Sequence, residues 1–269
     1  MPKRSDLPRA HGIFETLAVV NGRPRLLQHH LNRLFDGCSR LGMCAPIESE
    51  LVAEISAQAA MPGTGVVKVI VTQVDAADHD TAQQIVRAEP PRQRPLAWAA
   101  EGVAVITCRT RLAVQPELAG LKLLDRGAQV LARREWLTDS IAEGLMLDSD
   151  GRLISGTMTN VYAVIDGVVC TPAVTRCGVA GVMRAALLEA WQASGQSTVV
   201  RDLDPAELEA ASEIFLSNAL IGVWSVRCLD SRAFHVGPVA RAAAAWVQRI
   251  VKELPAPLTA AADSRFPPS

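Results

Sequence analysis

The spacing of apolar positions divides the chain into alternating short strands and helices. Residues 13–20 (IFETLAVV) run as an apolar strand up to Asn21-Gly22, a dipeptide whose tolerance of positive φ suits a hairpin, and the chain returns from Pro24 to Leu27. Leu31, Leu34, Phe35, Cys38 and Leu41 recur at helical spacing and predict a helix over 28–42 that Gly42 closes. Leu51 and Ile55 predict a second helix over 47–60. The β-branched run 66–72 predicts a strand with 84–88 as its partner, EPPRQRP (89–95) breaks the pattern, and 103–108 reads as a further strand.

Beyond Pro116 the pattern changes. A helix is expected over 124–139 with Val130, Leu131 and Trp136 on one side. Short strands follow at 144–147, 153–155, 160–165 and 168–171, with Asp150-Gly151 and Asp166-Gly167 as turns. A helix over 181–193, a strand at 198–201, a short helix at 205–211, strands near 213–217 and 221–227 and an amphipathic helix over 238–252 complete the reading. Hairpins mixed among helices predict an α+β fold rather than a doubly wound sheet. The expected organisation is a small α/β domain over 1–108, a linker over 109–118, a larger domain over 119–252 and a disordered tail over 253–269.

Composition narrows the function classes. The 269 residues are 49% hydrophobic and 20% charged with a net charge of −1, which suits a soluble globular protein and argues against a broad nucleic-acid surface. No apolar run reaches the ~18 residues of a membrane span. The opening MPKRSDLPRAHG lacks the apolar core of a signal peptide, so a cytoplasmic location is expected. The six cysteines show no metal-ligand spacing and read as small packed hydrophobes. Only four of the 27 basic residues are lysines: Lys3, Lys68, Lys122 and Lys252.

That scarcity draws attention to Lys122, which sits among leucines in PELAGLKLLDRG. Desolvation lowers the pKa of a lysine and makes its amine nucleophilic; the alternative is a lysine at an element end whose ammonium reaches water. Arg33, in HHLNRLFDG, reads either as part of a solvated helix face or as a planar fork turned toward a phosphate. His29 and His30 read as a surface pair without metal-ligand spacing. CGVAGVMRAALLEA places glycines just before a helix, which suits either a simple turn or a phosphate cup of free amides.

Five blocks, in matching order along the chain, resemble the 4-amino-4-deoxychorismate lyases, fold-type-IV pyridoxal-phosphate enzymes related to D-amino-acid and branched-chain aminotransferases. LAGLKLLDRGAQVLAR (118–133) is similar to the L-A-G-x-K-H-L-N-R-L-E-Q-V-L-A-R run of that family, and GIFETLAVVNGRPRLLQHHLNRL (12–34) to its G-x-F-E-T…H-L-x-R-L block. EGLMLDSDGRLISGTMTNVYAV (143–164) and CGVAGVMR (177–184) resemble its E-A-L-L-L-D…S-N-L-F block and its G-x-x-G-x-x-R phosphate loop, and ASEIFLSNALIGVWSV (211–226) its D-E-x-F-x-x-N-A-L block. The resemblance spans about residues 10–250.

The resemblance implies two α/β domains with pyridoxal 5′-phosphate between them and a homodimer. It implies that Lys122 holds the cofactor covalently and shuttles the proton. Arg33 and the amides of Val182 and Met183 would bind its phosphate, and Asn160 and Asn218 would lie near it. Arg111 would meet a substrate carboxylate. Ser155 stands where the family has the glutamate that faces the pyridine nitrogen. Other departures are Leu123 for His, Asp125, Gly127 and Ala128 for Asn, Leu and Glu, Ala10-His11 for Gly-Asp, and TQVDAADHDTAQQ (72–84) for R-G-x-G-x-R-G-Y. The expected activity is conversion of 4-amino-4-deoxychorismate to 4-aminobenzoate and pyruvate. The alternatives are a fold-type-IV aminotransferase for D- or branched-chain amino acids and a non-catalytic binding protein.

Overall fold

The computed structural model describes residues 12–75 and 80–252. The expectations for the first eleven residues, for the middle of the 72–84 segment and for the 253–269 tail lie outside the described residues.

Two sheets carry the chain. In the first, β1 (Ile13–Val20) turns through Asn21 and Gly22, both at positive φ, into β2 (Arg23–Pro24). Then come α1 (Leu27–Leu41), closed by Gly42 at φ 66, α2 (Glu48–Ala60), β3 (Val66–Asp75) and β4 (Asp80–Glu89). The order is β2-β1-β3-β4, antiparallel throughout, with Thr16 opposite Lys68. Helical spacing turns Leu31, Leu34 and Cys38 of α1 onto one face, where they share a core with Leu17, Val67 and Val69.

The second sheet is built from the rest: α3 (Leu96–Glu101), β5 (Val103–Leu112), α4 (Gly127–Arg133), β6 (Ile141–Asp148), β7 (Leu153–Gly156), β8 (Asn160–Ile165), β9 (Val168–Pro172), α5 (Val182–Ser194), β10 (Thr198–Arg201), a 3₁₀ turn at Pro205–Glu209, β11 (Glu213–Asn218), β12 (Gly222–Leu229), β13 (Arg232–Ala233) and α6 (Pro238–Lys252). Its order is β10-β9-β8-β11-β12-β5-β6-β7, with β13 beside β12. Both faces are covered. Tyr162 and Phe215, stacked at 4.7 Å, pack under α5 and α6, while Leu145, Leu216 and Trp224 form the core on the other side.

Three expectations change. The strand expected to end the small domain is the start of β5, which pairs with β6 and β12 of the larger sheet and runs on through the expected linker to Leu112. Its Val103 and Val105 are buried in the larger core, and the first sheet is complete at Glu89. The helix expected over 124–139 shrinks to Gly127–Arg133. Val130 and Leu131 face outward, 52% and 57% exposed, because the small face of Ala128 and Ala132 packs on Cys108 and Met146. Trp136 follows the helix and donates its indole N–H to the Ile141 carbonyl at 3.1 Å. Finally, His30 is buried inside α1's inner face and not part of a surface pair.

Candidate active site

An irregular stretch between β5 and α4 joins the two sheets. The Gly120 amide donates to the Gly178 carbonyl at 2.9 Å, and the Ala180 amide donates back to Gly120 at 3.0 Å. On the other side the Phe14 amide donates to Lys122 and the Leu124 amide to Gly12, each at 3.0 Å. Gly12 sits at φ 142, where a Cβ would lie 2.4 Å from the Val71 carbonyl, so only glycine lets the two backbones meet. Backbone bonds thus fix Lys122 from both flanks. Its Nζ lies 4.2 Å from the Phe14 ring centroid. Burial pushes the amine down to about 7, Arg33, Arg126 and Lys68 push the same way, and Glu15 partly opposes them.

Arg33 reaches the site from α1. Its Nε and Nη2 donate to the two Glu15 oxygens at 2.8 and 2.5 Å, and its Nη1 to the Ala180 carbonyl at 2.8 Å. His30, one turn earlier, places Nδ1 2.6 Å from Glu15. Burial works to raise the Glu15 carboxyl, but Arg33 and His30 outweigh it and hold it at about 2. Burial lowers His30, against the pull of Glu15.

Beside Arg33, through its bond to the Ala180 carbonyl, stands the start of α5. Its first amides, those of Val182 and Met183, have no intrahelical partner. A Cβ at Gly181 would lie 2.0 Å from Asn160 Oδ1, so the loop is pressed against that side chain. Asn160 Nδ2 donates to Val179 at 3.0 Å. Asn218 acts similarly on another wall: its Oδ1 accepts the Leu220 and Ile221 amides, and its Nδ2 donates to Met158 at 3.2 Å. Ser155 donates its hydroxyl to the Gly156 carbonyl at 2.9 Å and lines the cavity.

Glu143 shapes the adjoining loop. This fully buried carboxylate accepts the Gly144, Thr157 and Met158 amides and the Thr157 and Thr159 hydroxyls. Arg126 Nη2 caps the same loop, donating to Thr157 at 2.8 Å.

These elements enclose a cavity of about 950 Å³. Arg33, Lys122, Ser155, Asn160, Val182 and Asn218 all line it. Arg111 does not. On β5 it alternates with Leu112, which turns into the cavity, whereas Arg111 is exposed and donates to the Cys108 carbonyl. The Met183 side chain is likewise outside the lining, buried between α5 and the sheet, so only its amide is available.

The Amino-transferase class IV family matches residues 12–229. The chain belongs to this family. It is 43% identical to the crystal structure of 4-amino-4-deoxychorismate lyase from Pseudomonas aeruginosa, over 89% of this chain and 91% of that one, with a TM-score of 0.83. It is 41% identical to the aminodeoxychorismate lyase of Vibrio harveyi over 128 residues, 48% of this chain and 47% of that protein. A hypothetical aminotransferase from Mycobacterium tuberculosis in its PLP-bound form shares the fold at 20% identity, with a TM-score of 0.78 over 91% and 90% of the two chains.

In this class IV chain, several groups at or around the cavity are not marked as such by the sequence pattern. Glu15 and His30 lie in the block that resembles the family's opening, yet the pattern assigns neither to the site; a glutamate inside the apolar run IFETLAVV is the signal that points to the first. Glu143 stands likewise in the apolar run IAEGLMLD, at the head of another such block, and is not assigned to the site either. Lys68, Arg92, Arg94 and Arg126 also line the cavity. Arg92 and Arg94 sit in the proline-rich stretch that reads only as a break.

Proposed function

We propose that the chain is a pyridoxal-phosphate-dependent lyase that converts 4-amino-4-deoxychorismate to 4-aminobenzoate and pyruvate, as a cytoplasmic homodimer. No helix among the described residues is long and apolar enough to cross a membrane. The observation that carries the reading is Lys122, an amine held near 7 at the floor of the cavity, in a chain 43% identical to the Pseudomonas lyase over nine-tenths of its length.

The residues fit the cofactor. An aldehyde needs a neutral amine, which Lys122 supplies near pH 7. A phosphate needs donors and positive charge, which the Val182 and Met183 amides and the neighbouring Arg33 would supply. The cradle is tight, because Gly181 leaves no room for a side chain beside Asn160. When bound, pyridoxal phosphate supplies an aldehyde for the substrate amine and a conjugated ring that accepts electrons from the substrate carbon.

The rest falls to the protein. Lys122 Nζ takes the proton from C4 of the substrate and donates one as pyruvate leaves. Arg33, fixed by Glu15 and His30, would hold the phosphate end. Ser155 would meet the ring nitrogen with a neutral hydroxyl. Asn160 and Asn218 hold the walls through the backbone.

Substrate and products balance without an amino acceptor, and this gives the test. Holoenzyme given 4-amino-4-deoxychorismate and no keto acid should release 4-aminobenzoate and pyruvate in equal amounts. Amino transfer to an added keto acid, without pyruvate release, would establish the aminotransferase instead.

A further inference from the structure

Among the described residues, six cationic side chains and one carboxylate, Asp125, line the main cavity of a chain whose net charge is −1. Two have partners or roles already: Arg33 is paired with Glu15, and Lys122 is the reacting amine. Four remain. Lys68 and Arg126 lie beside the reacting amine, since Lys68 Nζ and Arg126 Cζ are 5.5 and 6.0 Å from the same Phe14 ring centroid that Lys122 approaches. Arg94 stands apart, its Cζ 5.0 Å from the Trp224 ring centroid. Among the described residues none of these three makes an ion pair, and Arg92 reaches only the partly exposed Glu89 at 3.5 Å.

A second, smaller cavity of about 190 Å³ opens behind this wall and shares Arg92, Arg94 and Leu220 with the first. Arg25 closes its far side. Arg25 is 7% exposed, donates one bond to the Ala219 carbonyl, and has an Nε with no hydrogen-bond partner. The buried Glu143 acts on both Arg94 and Arg126 from a distance, with no ion pair to either among the described residues, and Arg92 is half exposed. The cations along the wall still outnumber the carboxylates, so they repel one another and raise the energy of the empty state, and an anion seated among them lowers that penalty.

We propose that this wall is a seat for two carboxylates of one ligand: Lys68 and Arg126 take the carboxylate nearer the reacting amine, and Arg92 and Arg94, backed by Arg25, take the farther one. The pair of seats makes the site selective for dicarboxylates over amino acids with a single carboxylate. The two seats deepen the lyase reading and rest on it for the identity of the dicarboxylate.

The test uses two amine-free probes that cannot react at Lys122: benzoate, with one carboxylate, and 3-(carboxymethoxy)benzoate, with a ring and an ether-linked carboxylate. Their dissociation constants for the holoenzyme are measured by calorimetry. The dicarboxylate should bind at least about tenfold more tightly, and that preference should shrink as salt rises, as screening requires. In the R92A/R94A double variant the preference should fall about tenfold, and R94K should retain part of it. A preference near one in the unmodified protein would overturn the proposal, and that measurement does not depend on any variant folding. A preference that survives in the folded double variant would overturn it as well. If the dicarboxylate is preferred but no pyruvate is released from 4-amino-4-deoxychorismate, the lyase reading falls and the two seats stand. If pyruvate is released without the preference, the lyase reading stands and the two seats fall.

Discussion

Arg33 and Arg94 line the same cavity and are held in opposite ways. Arg33 is gripped by both oxygens of Glu15 and by the Ala180 carbonyl, so its orientation is set and most of its charge is already answered. Arg94 rests over Trp224 and makes no ion pair among the described residues, and the buried Glu143 acts on it only from a distance, so its orientation is looser and its charge less fully answered. The first arrangement suits a group that stays bound, where a fixed fork and tight walls matter more than raw attraction. The second suits a ligand that comes and goes, whose carboxylates add counter-charge at close range. The Arg33 end and the Arg94 end of the cavity thus differ in preorganisation rather than in residue type.

Lys122 stands between the two ends, and losing it should have the largest effect. Lys122→Ala should lower lyase turnover by about 10³-fold or more, the range expected when a positioned acid–base group is lost. Borohydride treatment of the holoenzyme followed by peptide mapping should label Lys122, and the variant should take up no label. Label on Lys68 instead would move the reacting amine to the outer wall.

Arg33→Ala breaks the preorganised end. Charge-assisted contacts to phosphate contribute ~1.5–3 kcal/mol each, so cofactor affinity should fall by about one to two orders of magnitude. Equilibrium dialysis against pyridoxal phosphate measures this directly. An unchanged affinity would leave the helix amides alone responsible for the phosphate.

The same pair sharpens the comparison through pH. Only the neutral Lys122 amine combines with an aldehyde, so the rate at which apoprotein takes up pyridoxal phosphate should rise with pH through about 7 and then level off. Arg33 pushes Lys122 down and Glu15 pulls it up. Arg33→Ala should therefore move the midpoint to higher pH, and Glu15→Gln should move it to lower pH. Shifts of the same sign in both variants would mean that packing, not charge, sets the amine.

What the sequence reveals of these regions follows the distance over which each feature is determined. The β1–β2 hairpin, the end of α1 and the start of α5 are set by adjacent residues, Asn21-Gly22, Gly42 and Gly181, and they are legible. Lys122 is legible because it is a rare residue in an apolar run. The buried carboxylates are not, since their meaning lies in partners far along the chain: Arg33 is 18 residues from Glu15, and Thr157 is 14 from Glu143. Arg111 is misplaced by the sequence because a run of residues approaching Lys122 does not say which way each side chain points, and strand alternation turns Leu112 inward instead. The pattern assigns β5 to the wrong sheet for a related reason: its own residues require burial but do not choose a neighbour.

The smallest effect is expected at Ser155, on the wall between the two ends. A carboxylate opposite a pyridine nitrogen keeps a proton there and strengthens the ring as an electron acceptor. Serine supplies no charge, and here its hydroxyl donates to the Gly156 carbonyl. Amino transfer depends on charge held in the ring long enough for a proton to return at the cofactor carbon. Loss of pyruvate from 4-amino-4-deoxychorismate depends on it less, because that elimination creates an aromatic ring. Ser155→Glu should therefore raise side transamination to a keto acid by more than it changes lyase turnover. Ser155 is only 7% exposed, so the new carboxyl enters a desolvated place and part of its gain is offset by burial, which keeps the change within about tenfold. The ratio of the two activities, measured on one preparation, decides the matter. A ratio that stays fixed would mean that position 155 does not face the ring nitrogen.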